Sequence, residues 1–269
     1  MQRALRAVAE LRPRFEKAPA PTEDRAQALT WRGRPALEIE GRAAGPGGAG
    51  TLRDSAIFDL GSGRIASFTW FPHASARRAG EAIISLSEVS SRAETHARTL
   101  FPGSDLHLEG IERQRESGGE GVYYEASFAF PSGEFPFLQP PVRLLLDAST
   151  GNLFRFDAEP AWLAPLRLPA AHLSRRAAER VAAAALRSRD LTPVFGAGAA
   201  LGKVAAAELF VVQPNGWLAA PGAAAEPDAR VAWVVPFSLA GGGAPHRLFV
   251  DAATGRLLGG LPGAPPGAR

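Results

Sequence analysis

VRLLLDASTGNLFRF, residues 142–156, is an alternating apolar run, a polar turn and a second apolar run that follows at once. It reads as a strand, a tight turn and a strand. Asp147 and Thr150 can bond the turn's own backbone, and Gly151 accepts the left-handed conformation that closes it. The same unit occurs twice more. Phe58–Ile65 carries Asp59 and Gly63 about 88 positions earlier, and Val250–Leu257 carries Asp251, Thr254 and Gly255 about 104 positions later. Three hairpins with one signature mark an internal repeat.

Outward from this hairpin, the composition bounds the class. At 269 residues the chain is long enough for one large domain or two to three small ones. Hydrophobic residues at 46% and charged residues at 21% are ordinary for a chain with a real core. No stretch approaches the roughly 20 apolar residues that a transmembrane helix needs. The formal charge is only +3, and the pI near 9.9 reflects arginine, since Lys17 and Lys203 are the only lysines. No basic run is interleaved with aromatics, so nucleic acid is not an expected partner. With no cysteine, disulfides, thiolate catalysis and cysteine-ligated metals are excluded. The first 17 residues carry arginine at positions 3, 6, 12 and 14 and lack the apolar core of a signal peptide. The expectation is a protein that stays inside, or a chain that begins after a removed export signal.

Taken in order, Gln2 to Leu11 has helical spacing and stops at Pro13. Ala28 to Glu40 suggests two strands turning at Arg32-Gly33-Arg34, and Gly45 to Gly50 is a loop. Ser85 and Glu88 stand at capping-box spacing before an apolar face of Val89, Ala93, Ala97 and Leu100, which ends at Pro102-Gly103. Asp105 to Gln114 and Val122 to Phe130 read as strands. A second helix opens at Leu173-Ser174, 89 positions after Ile84-Ser85, with Ala178, Val181, Ala182, Ala185 and Leu186 on its face. Lys203 to Gln213 and Val231 to Phe237 follow as strands, with the Pro-, Gly- and Ala-rich stretch 214–228 between them. The tail from Leu261 to Arg269 is expected to be disordered.

A helix opened by a hydrophobic-Ser pair, then strands, then an Asp-x-x-Thr-Gly hairpin resembles the PepSY superfamily, and within it the YcdB/YcdC-type repeats of bacterial envelope proteins. The matching residues are Ile84-Ser85, Leu173-Ser174, Phe128 to Phe130, Gly133-Glu134-Phe135-Pro136, Trp162 with Leu168-Pro169, and the turns at Asp59, Asp147 and Asp251. The resemblance implies noncatalytic helix-on-sheet modules, found in protease propeptides and envelope proteins, for which a role in restraining peptidases has been proposed. It supplies no catalytic residues to carry over. The expectation departs from the family pattern in that no peptidase or surface-anchoring domain is read beside the repeats in these 269 residues.

Each candidate chemistry meets a plainer reading. Asp59, Asp147 and Asp251 share one turn context, which makes them structural turn residues rather than acids or metal ligands. His73, His96, His107, His172 and His246 form no HExxH or HxH pair. No Gly-x-Ser-x-Gly elbow is present. The glycine clusters at 45–50 and 241–243 lack the Lys-Ser/Thr of a phosphate-binding loop. Among the aromatics, Phe135, Phe137, Trp162 and Trp217 are the candidates to line a peptide groove, where an added strand would pair with a free sheet edge.

The expected fold class is α+β, with tandem PepSY-like units that each pack one helix on an antiparallel sheet. The expected organisation is a partial unit over 1–78, complete repeats over 79–168 and 169–260, and a tail over 261–269. No catalytic, cofactor or metal site is expected. The expected partner is a protein or peptide in the cell envelope. A purely structural module and an enzyme using isolated residues such as Asp105, His107 and Glu112 are the alternatives.

Overall fold

The computed structural model describes residues 1–15, 21, 23–31, 34–43, 51–71, 83–115, 122–131, 135–159, 170–189, 191–196, 199–215, 217 and 229–263. The chain divides into two compact units, one of Met1–Pro131 with Pro140–Ala164, the other of Ser132–Gln139 with Pro165–Arg269. Among the described residues no helix is long and apolar enough to cross a membrane.

The first unit is built on one eight-stranded antiparallel sheet. Its strands are β1 (Glu23–Trp31), β2 (Arg34–Ala43), β3 (Thr51–Asp59), β4 (Arg64–Trp70), β5 (His107–Arg115), β6 (Val122–Ala129), β7 (Val142–Asp147) and β8 (Leu153–Ala158). They lie in the order β1-β2-β3-β4-β8-β7-β6-β5. Helices α1 (Gln2–Leu11) and α2 (Leu86–Leu100) contribute to the core on one face. Helix α1 turns Ala4, Val8 and Leu11 inward at helical spacing, and Pro13 follows its end in a single 3₁₀ turn. Helix α2 is capped by Ser85, whose Oγ accepts the Glu88 N–H at 3.2 Å. It buries Val89, Ala93 and Ala97. The opposite face of the sheet is largely polar, with cross-strand rows such as Ser55–Thr69–Arg155–Leu145–Glu125–Glu112.

The expectation of tandem units, each with one helix on its own sheet, is corrected here. Among the described residues strand accounts for 47% and helix for 23%. The strands assigned to an N-terminal partial unit and to a first repeat run together in one sheet. The join is β4 on β8, with Ser67↔Asp157, Phe68↔Phe156 and Thr69↔Arg155 in register. Each hairpin, taken alone, would leave β4 or β8 with an open edge, and pairing those edges satisfies both ladders. An aromatic cluster from four segments seals the seam. The Phe15 ring lies 4.3 Å from that of Phe68, and Phe101 meets Phe156 edge-on at 5.8 Å.

The second unit carries α3 (Arg175–Arg187), the short α4 (Thr192–Phe195), and strands β9 (Leu201–Val204), β10 (Glu208–Val212), β11 (Arg230–Leu239), β12 (His246–Asp251) and β13 (Leu257–Leu261). The sheet runs β10-β11-β12-β13, with β9 also on β11. Ser174 caps α3, which buries Ala178, Ala182 and Leu186 against Val235, Phe237, Leu248 and Val250.

Candidate functional site

The turn aspartates spend their carboxylates on local backbone. Asp147 Oδ1 accepts from the N–H groups of Ser149 and Thr150, both at 2.9 Å, and Asp251 Oδ1 accepts from those of Ala253 and Thr254, both at 2.8 Å. The Gly151 N–H donates to the Asp147 carbonyl at 2.8 Å, as Gly255 does to Asp251 at 2.9 Å. Thr150 and Thr254 each accept the N–H two residues on. In the first hairpin the Ser62 N–H donates to Asp59 Oδ2, and the Gly63 N–H to the Asp59 carbonyl. Gly63, Gly151 and Gly255 all have positive φ, between 68° and 76°.

These hairpins also fix the helix starts. The Ile84 N–H donates to the Ala148 carbonyl at 3.0 Å, and the Leu173 N–H donates to the Ala252 carbonyl at 2.8 Å. The hydrophobic-Ser pair before each helix is thus tied to the residue after each turn aspartate. Removing either carboxylate leaves two backbone donors without their acceptor. Asp147→Ala and Asp251→Ala are each expected to cost about 2 kcal/mol, measured as a shift in urea midpoint with an unchanged slope. A loss under about 0.5 kcal/mol would count against a structural role for these turns.

The aromatic candidates have varied surroundings. Phe137 is buried, and its segment pairs in parallel with β10: the Val211 N–H donates to the Pro136 carbonyl and the Leu138 N–H to the Val211 carbonyl. Phe135 begins that same segment, half-buried. Trp217 packs with Phe195, Phe237 and His246, with ring centroids 5.9 to 6.4 Å away. Burial holds His246 below the usual histidine pKa, and its Nδ1 accepts the Gly263 N–H at 2.8 Å. Trp162 lies outside the described residues.

This placement gives the outer strands β10 and β13 of the five-stranded sheet bonding partners from within the chain. Residues 136–138 bond the outer side of β10 at Val211. At β13 the Asn215 side chain stands in for a strand: its Nδ2 donates to the Gly260 carbonyl at 2.9 Å, and its Oδ1 accepts the Gly260 N–H at 3.1 Å. The eight-stranded sheet differs. Its outer strands are β1 and β5, and among the described residues no strand pairs with their outer sides.

Of these two, β5 adjoins a cleft. A hollow of about 470 Å³ opens between α2 and the start of β5, floored by Ala97, Leu106, Leu108 and Phe128 and rimmed by Glu94, Arg98 and His107. Strand β5 itself is exposed except at Leu108, Ile111 and Gln114. A bulge between Leu108 and Gly110 lets both Leu108 and Ile111 contribute to the core. Backbone donors and acceptors on an outer strand beside a side-chain pocket are the two elements of strand-addition recognition: the ladder supplies affinity and the pocket supplies selectivity. His107 and Glu112 sit on this strand, and the Glu112 carboxylate accepts from the Gln114 amide at 3.0 Å. Among the described residues, no group of three or more His, Asp or Glu side chains is placed to hold a metal ion.

No family model and no curated protein matches the chain. Among solved structures, it is similar to the Bacillus megaterium YpeB C-terminal domain. The identity is 12%, the match covers 95% of this chain and 96% of that one, and the TM-score is 0.40.

Proposed function

We propose that this chain is a noncatalytic, PepSY-like protein of the bacterial envelope that binds an extended segment of a partner protein by strand addition to β5. The observation that carries the reading is the nine-residue β5, whose outer side pairs with no strand among the described residues, beside a cleft under α2 with an apolar floor and a polar rim. The hydrophobic-Ser helix starts and the three Asp-led hairpins support the family assignment, and that family points to an envelope peptidase as the partner to seek.

The test is capture from an envelope extract by the wild-type protein and by two edge variants, Glu112→Pro and Arg113→Pro. Adjacent residues of a strand direct their N–H groups to opposite sides, so one of the two prolines removes an outward donor and leaves the β5–β6 ladder intact. Circular dichroism identifies that variant as the one that keeps the wild-type fold. The wild type is expected to retain a peptidase that this variant releases. Equal retention by both proteins would exclude β5 as the site. Self-association in light scattering with no captured partner would assign the chain an assembly role instead.

A further inference from the structure

Resting on strand addition at β5, we infer the chemistry of the segment that binds there: an extended peptide carrying an acidic, a basic and an apolar residue in consecutive order. The inference comes from the charges that β5 presents on its two faces. Cross-strand partners share a face, so the pairing of β5 with β6 places each side chain. Ile111 pairs with the buried Ala126, and Arg113 with the buried Tyr124, whose hydroxyl reaches the Ile84 carbonyl at the start of α2. Ile111 and Arg113 therefore lie on the helix-covered face. Glu112 pairs with Glu125 on the opposite face.

Two carboxylates directly opposite each other repel. Glu125 has partial relief from Arg143 on β7, at 3.7 Å, and among the described residues Glu112 has only the neutral amide of Gln114. A strand added outside β5 puts one residue directly against Glu112, and a Lys or Arg there would neutralise a pair that the sheet leaves half-compensated. All strand pairs of this sheet are antiparallel. In an added antiparallel strand, the residue before that cation faces Arg113, so an acidic side chain suits it. The residue after it faces Ile111, so an apolar side chain suits it. A second apolar side chain two to three places further along comes over the cleft floored by Leu108 and Phe128.

The experiment is fluorescence anisotropy of the full chain with a positional-scanning set of nine-residue labelled peptides. The central position varies among Lys, Gln and Glu, and its neighbours vary by charge and apolarity. Lys at the centre is expected to bind about threefold more tightly than Gln, with Glu weaker again. Glu112→Lys is expected to reverse that order, so that Glu becomes the preferred central residue. This variant turns a like-charged pair into an opposite-charged one, so it should fold at least as well as the wild type. Arg113→Glu should reverse the preference one position earlier and leave the central one alone. Binding without central charge preference, or a preference that Glu112→Lys does not move, would overturn the inference while sparing strand addition. If no peptide in the set binds, strand addition and the inference fall together.

Discussion

Arg12→Leu is expected to destabilise the first unit by about 3–5 kcal/mol, because it leaves a fully buried carboxylate without its counter-charge. Asp54 has no exposed surface. The Arg12 guanidinium holds it by two parallel bonds, Nε to Oδ2 and Nη2 to Oδ1, each at 2.9 Å, and also reaches both oxygens of Asp24. One cation thus ties the turn after α1 to β1 and to β3. Burial opposes the charge on Arg12, but its bonds to Asp24 and Asp54 outweigh that and hold its pKa above the ordinary arginine value. The melting temperature should fall on the order of 10 °C, and hydrogen exchange should quicken in α1 and β3 together. Arg12→Leu with Asp54→Leu should recover most of the loss, since a buried ion pair replaced by apolar groups is often neutral. Gly41→Ala should mimic part of it, as a methyl there would lie 2.5 Å from Asp54 Oδ1 and 2.6 Å from Arg12 Nη2. A loss below about 1 kcal/mol for Arg12→Leu would mean that water reaches Asp54.

Arg12 also shows where sequence reading stops. In the sequence it is one of four arginines in a basic opening stretch, and its partners stand 12 and 42 positions away. Nothing local distinguishes it from Arg6, which pairs with Glu10 in the open. The turns are a different case. The donors that Asp147 and Asp251 satisfy lie two and three residues on, so the chemistry is contained in the motif. Ser85 and Ser174 likewise act on groups three residues away. Alternation shows which residues share a face of a strand, but not which strand lies alongside. For that reason tandem units were expected where β4 and β8, with Ser67 and Asp157 90 positions apart, make one sheet. The candidate site sits at the same limit. Strand β5 was legible as a strand, whereas its place at an edge, and with it the exposure of Glu112 beside Glu125, depends on the order of all eight strands.

The contrast between the two sheets bears on function. An exposed edge invites unwanted pairing, and proteins blunt it with charge, bulges or cover. Here two outer strands of the five-stranded sheet hold partners from within the chain, β10 at Val211 from residues 136–138 and β13 at Gly260 from the Asn215 amide. The edge at β5 is treated more lightly. It has one bulge near its start and four charges, Glu109, Glu112, Arg113 and Arg115, and its backbone from Ile111 onward is regular. Charges of both signs suit a strand that discourages indiscriminate pairing yet admits a partner with the complementary pattern.

The seam between β4 and β8 is where the second large effect is expected. Only three residue pairs join the two halves of the eight-stranded sheet, fewer than any neighbouring pair of strands in it. Phe68 stands at the centre of that join, fully buried, against Phe15 and roughly parallel to Phe156 at 6.4 Å. Phe68→Ala removes a ring from a site bounded by strands on both sides, where collapse is hindered, and should cost about 3–5 kcal/mol. The distribution of the loss matters more than its size. If the aromatic cluster holds the seam, hydrogen exchange should accelerate in β4 and β8 alike, and Phe156→Ala should reproduce the pattern. The two changes should then be strongly non-additive, because either one opens the same contact. Acceleration confined to β4, or simple additivity, would show that the three-pair ladder holds the two halves without the rings.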